Sequence, residues 1–339
     1  MTRRTVLPRA FALVATLLLS ATAQAQAFRT YLAPTGSDAN PCSLSAPCRL
    51  LPAALAAVAD GGEIWMLGSA NYNTAQFNIT KSVTILAVPG ALGSVVAAGG
   101  YAISIATPGV KVALRNLVIV PLPGGAGTGG INMTDGTGLT VENCLIANLA
   151  SAGIWVSTAA TVRITDTTIR DNAFYNLYFQ NGVRATITRA TISRASDLGV
   201  LVSGSVAGTT TTADFGDSTI DGSVNGGLTA ASSDATAVVK VSVHDSRVVR
   251  NGGFGIAALG NAAGASATLS ASNNIVSNNG HGIGAFEVGS KVWASGNTVS
   301  NNSGVGVQNT AGVFESTGNN AVRNNGTDKF GTVLVVTTE

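Results

Sequence analysis

The chain of 339 residues is 45 % hydrophobic and only 11 % charged, with a formal net charge of +2, and it contains 41 glycines and 9 prolines. The positive mean hydropathy excludes a charged, disordered chain, and the low proline content excludes collagen and proline-rich disorder. Many glycines beside small and β-branched residues favour an array of short strands and tight turns.

Residues 1–27 have the pattern of a secretory signal peptide. Arginines precede an apolar run from Ala10 to Leu19, which is too short to span a bilayer, and small residues follow in the pattern of a cleavage site. A membrane anchor is the alternative. Cleavage changes the net charge from +2 to −1, and no basic patch remains to bind nucleic acid. We expect a secreted or periplasmic protein with no nucleic-acid partner and, after cleavage, no transmembrane segment.

Residues 28–75 are expected to form an N-terminal unit. Cys42 and Cys48 enclose a short loop, and in an exported protein this spacing predicts a disulfide, with a two-cysteine metal site as the alternative. The segment from Leu51 to Ala59 has the pattern of an amphipathic helix. Cys144 lies among apolar neighbours further along the chain and is predicted to be buried.

Residues 76–339 contain a repeat of 23 to 28 residues. In each unit an apolar anchor is followed eight positions later by a second apolar residue and is often preceded by a third at five positions. The anchors are Ile146, Ile169, Ile192, Ile220, Val248, Ile275, Val299 and Val322. Because one unit cannot bury its apolar residues alone, the units are predicted to stack into a parallel β-solenoid of about ten rungs.

The residue just before the second apolar position is nearly always glycine. The column contains Gly153, Asn176, Gly199, Gly227, Gly255, Gly282 and Gly306. Glycine and asparagine are the residues that best tolerate the left-handed region of backbone space. The column therefore predicts a repeated turn with positive φ at this position.

The chain resembles the right-handed parallel β-helix, or pectin-lyase-like, superfamily of secreted proteins. The most specific match is the segment from Phe28 to Pro41, which is similar to the first strand and turn of many members. The resemblance covers residues 28–339 and implies an all-β, right-handed parallel β-helix with a short N-terminal capping helix. It implies no single activity, because the superfamily includes pectate lyases, polygalacturonases, epimerases, tailspike depolymerases and adhesins.

One polar column lies three positions before the anchor. Consecutive units place Asn143, Asp166, Arg189, Asp217 and Asp245 there. Stacked side chains lie about 5 Å apart, so Arg189 can pair with Asp166 and Asp217. We interpret the column as a salt-bridge ladder at a solvated corner, which nearby asparagine columns favour. The alternative is a catalytic or calcium-binding site made of Asp166, Arg189, Asp217 and Asp245.

An aromatic group lies on the outward side of the repeat. Trp155 and Tyr178 follow the second apolar position in consecutive units, and Tyr175 lies in the adjoining turn. Exposed aromatic rings bind sugars, so these three residues are candidates for ligand binding. Simple stacking between rungs is the alternative interpretation.

The sequence favours an exported β-helix that acts as a carbohydrate-binding or structural and adhesive surface module. Its expected partner is a polysaccharide or a cell-surface glycan. The alternative is a polysaccharide-degrading enzyme of the uronate-lyase type, and calcium is expected as a cofactor only in that case. Bases for such a reaction are few, because the lysines are scattered along the sequence. Gly280-His281-Gly282 matches a polygalacturonase motif, but the adjacent aspartates of those enzymes are missing.

Overall fold

A computed structural model describes residues 26–337, so the predicted signal peptide falls almost wholly outside the described residues. The described chain winds into a right-handed parallel β-helix of about 11 turns, close to the predicted number. Each complete turn contributes one strand to each of three walls, which we call sheets A, B and C. Within residues 26–337, no helix is long and apolar enough to cross a membrane.

Sheet A contains 13 parallel strands that follow one another in chain order. They are β1 (Ala27–Leu32), β2 (Val58–Met66), β5 (Val83–Ala87), β7 (Lys111–Arg115), β9 (Gly138–Glu142), β12 (Thr161–Thr165), β15 (Arg184–Thr188), β18 (Thr210–Gly216), β21 (Val238–His244), β24 (Ser266–Ser272), β27 (Ser290–Ser295), β30 (Val313–Ser316) and β33 (Leu334–Val335). At a strand spacing of about 4.8 Å, this sheet is about 58 Å long.

Sheets B and C are continuous with each other through two long strands, β6 (Gly93–Ile105) and β8 (Leu117–Met133). The other strands of sheet B are β3 (Ala70–Asn71), β10 (Leu145–Ala147), β13 (Thr168–Arg170), β16 (Thr191–Ser193), β19 (Thr219–Asp221), β22 (Arg247–Val249), β25 (Ile275–Ser277), β28 (Thr298–Ser300) and β31 (Ala321–Arg323). Those of sheet C are β4 (Phe77–Ile79), β11 (Ile154–Val156), β14 (Leu177–Gln180), β17 (Leu198–Gly204), β20 (Gly226–Ser232), β23 (Phe254–Gly260), β26 (His281–Phe286), β29 (Val305–Asn309) and β32 (Thr327–Phe330).

The N-terminal end of the solenoid is covered by the single helix of the described chain, α1 (Leu51–Ala57). This helix ends two residues earlier than predicted, because Val58 already begins β2. Leu51 and Leu55 are buried. The predicted disulfide between Cys42 and Cys48 is present, which closes the loop after β1.

Two corners in most turns adopt the left-handed backbone conformation, with φ between 51° and 69°. The first corner joins sheet A to sheet B and contains Asn116, Asn143, Asp166, Arg189, Asp217, Asp245 and Asn273. The second joins sheet B to sheet C and contains Asn148, Asp171, Arg194, Gly222, Arg250, Asn278, Asn301 and Asn324. The left-handed residues are therefore mostly polar, non-glycine residues.

The prediction of positive φ in the glycine column was wrong, because no residue of that column is left-handed. Glycine is required there by close approach. A Cβ atom on Gly199 would lie 2.7 Å from the carbonyl oxygen of Gly227 in the next rung, and one on Gly227 would lie 2.6 Å from that of Gly255. Neighbouring rungs thus leave no space for a side chain at these glycines, whereas Asn176 fits in the column because its buried amide forms hydrogen bonds with Asn172 and Ser193.

The register also corrects one anchor. Val276, and not Ile275, pairs with Val248 and is fully buried, whereas Ile275 is 39 % exposed. The asparagine columns explain this register. The backbone N–H groups of Ser246 and Asn251 donate to the side-chain oxygens of Asn274 and Asn279 in the next rung. These two asparagines belong to two stacked columns, one beside each left-handed corner. Buried asparagines thus satisfy backbone groups that stacking would otherwise leave unpaired.

Candidate functional site

The outer face of sheet A is polar because its strands alternate between inward apolar and outward polar residues. In β15, Ala185 and Ile187 are buried, whereas Arg184 is exposed. In β21, the outward side chains are those of Lys240, Ser242 and His244. Parallel pairing in register then aligns the outward residues of successive strands into columns that run along the solenoid.

Two shallow depressions of about 520 and 560 Å³ lie on this face. Thr161 lines both of them, so they adjoin along the outer face of sheet A, and together we call them the trough. Its lining extends from Gly61 on β2 to Ser270 on β24 and crosses nine strands, a length of about 38 Å. Threonine and serine hydroxyl groups make up much of its floor.

Four cationic side chains line the trough, namely Lys111, Arg163, Arg184 and Lys240. All four are exposed, and within the described chain none of them lies within 4.0 Å of a carboxylate. The lysines are scattered along the sequence, but the register aligns three of them. Lys111 and Lys240 share one outward column with Lys291, because the register repeats from rung to rung.

An imidazole lies between two carboxylates beside the trough. His244 Nδ1 is 2.9 Å from Asp245 Oδ2, and His244 Nε2 is 3.6 Å from Asp214 Oδ2. Ser242 donates a hydrogen bond to the other oxygen of Asp214, which itself lines the trough. The hydrogen bond with Asp245 and the charge of Asp214 raise the pKa of His244, against a smaller opposing effect of burial.

The predicted catalytic corner is divided between two arrangements. Arg189 makes a bidentate pair with Asp166 at 2.7 and 2.9 Å, and this exposed guanidinium lowers the pKa of Asp166. Asp245 instead contacts His244, and Asp217 makes no ion pair within the described chain. The corner therefore does not converge on one point. Among residues 26–337, no group of three His, Cys, Asp or Glu side chains is suited to hold a metal ion.

The Arg189–Asp166 pair has a counterpart at the second corner. Arg194 makes a bidentate pair with Asp171 at 2.6 and 2.9 Å, also across one rung. Two equivalent pairs at two corners are typical of a repeated structural contact between stacked turns. This observation favours the salt-bridge interpretation of Asp166 and Arg189.

The three predicted aromatic residues lie together on the outer face of sheet C. Trp155 and Tyr178 stack at a centroid distance of 5.2 Å and an interplanar angle of 27°, and Tyr175 contacts Tyr178 at 5.1 Å. The indole Nε1 of Trp155 is buried and has no hydrogen-bond partner. Trp155 and Tyr178 pair in register on neighbouring strands, so the rings stack along the solenoid.

Sheet C differs from sheet A in charge. From β4 to β29, its strands contain no Asp, Glu, Lys or Arg. A second aromatic group lies there, in which Phe254 stacks on His281 at 4.7 Å and contacts Phe286 at 4.5 Å. His281 accepts a hydrogen bond from the backbone of Val305 and lies on a different wall from the trough.

Arg184 and Asp214 were not predicted as site residues from the sequence. The available signal was the alternation of β21, in which valines separate Lys240, Ser242 and His244. Assigning these residues to one surface also requires the register of β15 and β18, because the spacing between repeats changes along the chain.

The chain was compared with protein families and known proteins. A family model for a right-handed β-helix region matches residues 92–242. Among solved structures, the pectate lyase Pel9A has a TM-score of 0.62 at 16 % identity, covering 88 % of this chain and 79 % of that one. The A-module of a mannuronan C-5 epimerase from Azotobacter vinelandii has a TM-score of 0.57 at 13 % identity, with coverage of 85 % and 95 %.

Tailspike protein 2 of an Escherichia coli O157:H7 bacteriophage is also similar. Its TM-score is 0.53 at 13 % identity, and the match covers 78 % of this chain but 39 % of that one. No curated protein sequence matches the chain. The β-helix model and the structural similarities show a common fold without a specific family. The chain is a right-handed parallel β-helix with the pectin-lyase-like fold.

Proposed function

We propose that the protein binds an extended acidic polysaccharide along the trough of sheet A. The observation that carries this proposal is the alignment of two adjoining depressions over about 38 Å, with four cations that have no carboxylate partner among residues 26–337. A linear polymer lying along the solenoid axis would meet the same surface at each rung. Its negative groups would find Lys111, Arg163, Arg184 and Lys240.

The chemistry of the trough suits a carbohydrate. Rows of threonine and serine hydroxyls offer donors and acceptors to sugar hydroxyls, and the open shape leaves room for bridging water. Exposed cations steer an anionic chain toward the surface. The similar structures include a pectate lyase and a mannuronan epimerase, whose names refer to acidic polysaccharides. These similarities support a carbohydrate-related role.

The decisive experiment is a binding measurement with acidic and neutral chains. Polygalacturonate and mannuronate-rich alginate are titrated by calorimetry, with a neutral glucan as the reference. We expect binding of the acidic chains only, and a loss of about tenfold in the double variant Arg184→Ala/Lys240→Ala. Arg247→Ala is the matched control, because Arg247 is an exposed arginine on sheet B. Equal losses in both variants would indicate non-specific attraction and contradict the proposal.

A uronate lyase is the second candidate function. It is favoured by Asp214 and Lys240, which line the same depression, and by the contact of His244 with Asp214, since β-elimination needs a base near a cation that neutralises the substrate carboxylate. The base removes the proton beside the carboxylate, the bond to the glycosidic oxygen breaks, and an unsaturated sugar forms. Of the four residues predicted at the corner, Asp245 contacts this group directly.

Ultraviolet absorbance of the unsaturated product, with and without calcium, tests the lyase. Product formation that is lost in Lys240→Ala but retained in Arg189→Ala would place the reaction in the trough. Loss in Arg189→Ala would assign it to the corner predicted from the sequence. If acidic chains bind but yield no product, the protein binds polysaccharide without cleaving it.

We also propose two properties that the sequence indicates. Trp155, Tyr178 and Tyr175 form a second glycan contact. The protein is exported to the periplasm or the medium, which the disulfide between Cys42 and Cys48 supports. A structural or adhesive role is the outcome expected if no glycan binds and none is cleaved.

A further inference from the structure

The geometry around His244 favours a charged imidazole. Both ring nitrogens face carboxylate oxygens, at 2.9 Å from Asp245 and 3.6 Å from Asp214. A neutral imidazole has a proton on only one nitrogen, so its other nitrogen would direct a lone pair at a carboxylate. Only the imidazolium can attract both groups.

The neighbouring strand β18 leaves space for the imidazole ring of His244. Gly216 pairs with His244 on the neighbouring strand, and a Cβ atom there would lie 2.6 Å from the imidazole Cε1. The ring therefore lies over a position without a side chain. It is half-buried and keeps contact with solvent, so it can exchange its proton.

The charged groups around the ring are mainly acidic. β18 contributes Asp214, and the corner that follows it contributes Asp217, which stacks beneath Asp245. On its own strand, Lys240 lies four residues away and Ser242 is occupied with Asp214. The facing residues of β24, Ser270 and Ser272, are uncharged.

We propose that His244 is a pH-dependent gate on the trough. As imidazolium it bridges Asp214 and Asp245 across two rungs and cancels one of their charges. As neutral imidazole it leaves both carboxylates uncompensated next to the path of an anionic chain. Binding of an acidic polysaccharide is therefore stronger below the pKa of His244 than above it. This inference rests on the proposed function of the trough.

The test combines titration of the histidine with binding. The protein contains two histidines, His244 and His281, so their ring signals in an NMR titration are assigned by one substitution. We expect the pKa of His244 to fall in Asp214→Asn and in Asp245→Asn. Calorimetry with polygalacturonate oligomers should give an affinity about fivefold higher at about pH 5 than at about pH 8, at constant salt.

His244→Gln should remove this pH dependence and hold the affinity at the weaker level, whereas the matched control His281→Gln should retain it. Affinity that changes with pH equally in His244→Gln and in the wild type would overturn the gate. Absence of binding at both pH values would reject the proposed function and the gate with it, while the NMR titration would still report on the bridge. Binding that is strong but independent of pH would reject the gate alone.

Discussion

Lys329 pairs in register with Val307 and so occupies the interior column of sheet C at the last rung. In the preceding rungs this column contains Leu177, Val200, Leu228, Ile256, Ile283 and Val307, all of them buried. A charged side chain at this position interrupts the apolar stack on β32, which is the last strand of sheet C within residues 26–337. Lysines on exposed edges discourage pairing with another chain.

We therefore expect Lys329→Val to promote association through the C-terminal end. The substitution continues the apolar column and exposes it together with Phe330, which is already 52 % exposed. Sedimentation velocity over a range of concentrations should detect dimers or larger species that the wild type lacks. Thr327→Val adds an apolar residue to the same strand outside the interior column and should stay like the wild type. Similar behaviour of the two variants would contradict the assignment.

The glycine column should respond to added volume. Gly199→Ala would place a Cβ atom 2.7 Å from a backbone oxygen that cannot move away, so we expect a loss of about 2 kcal/mol in the free energy of unfolding. Gly222→Asn is the matched control. Gly222 is left-handed, but the equivalent corners of neighbouring turns contain Asp171, Arg194 and Arg250 in the same conformation.

Urea denaturation monitored by circular dichroism measures both glycine variants. The expected result is a large shift of the midpoint for Gly199→Ala and almost none for Gly222→Asn. The reverse order would show that backbone conformation, and not close approach, selects glycine in this column.

Loss of the disulfide should weaken the N-terminal end. The bridge between Cys42 and Cys48 closes a short loop, and the double variant Cys42→Ser/Cys48→Ser should lose about 2 kcal/mol. Cys144 provides the comparison, because burial raises its pKa to about 12 and keeps the thiol protonated and unreactive. A reducing agent should lower the melting temperature of the wild type to that of the double variant. No effect of the reductant on the wild type would contradict this role.

The aromatic group should separate binding from stability. If Trp155 contacts a glycan, Trp155→Ala weakens glycan binding by about 1–3 kcal/mol, on the scale known for aromatic stacking on bases. Trp155→Phe keeps a ring on Tyr178 and should retain most of the affinity. Calorimetry and thermal melting are measured on the same samples. A lower melting temperature with unchanged affinity would assign the stack to stability alone.

The repeat in the sequence was sufficient to predict the architecture. Apolar residues at fixed offsets from each anchor must share one interior, and only stacking buries them, so the parallel solenoid followed from residues such as Ile169 and Ile192 alone. The disulfide and the buried Cys144 were also readable, because they depend on local spacing and on neighbouring apolar residues.

Only the tertiary structure showed which residues stack on one another at equivalent positions of successive rungs. Whether Ile275 or Val276 enters the core depends on hydrogen bonds to Asn274 and Asn279 from the rung below, and a shift of one residue exchanges the inner and outer faces. Glycine is selected in the column of Gly199 and Gly227 because neighbouring rungs approach closely there. The sequence of one rung does not reveal this distance. The meeting of His244 with Asp214, 30 residues away, arises from the same register, because residues from different turns become neighbours only when their strands pair.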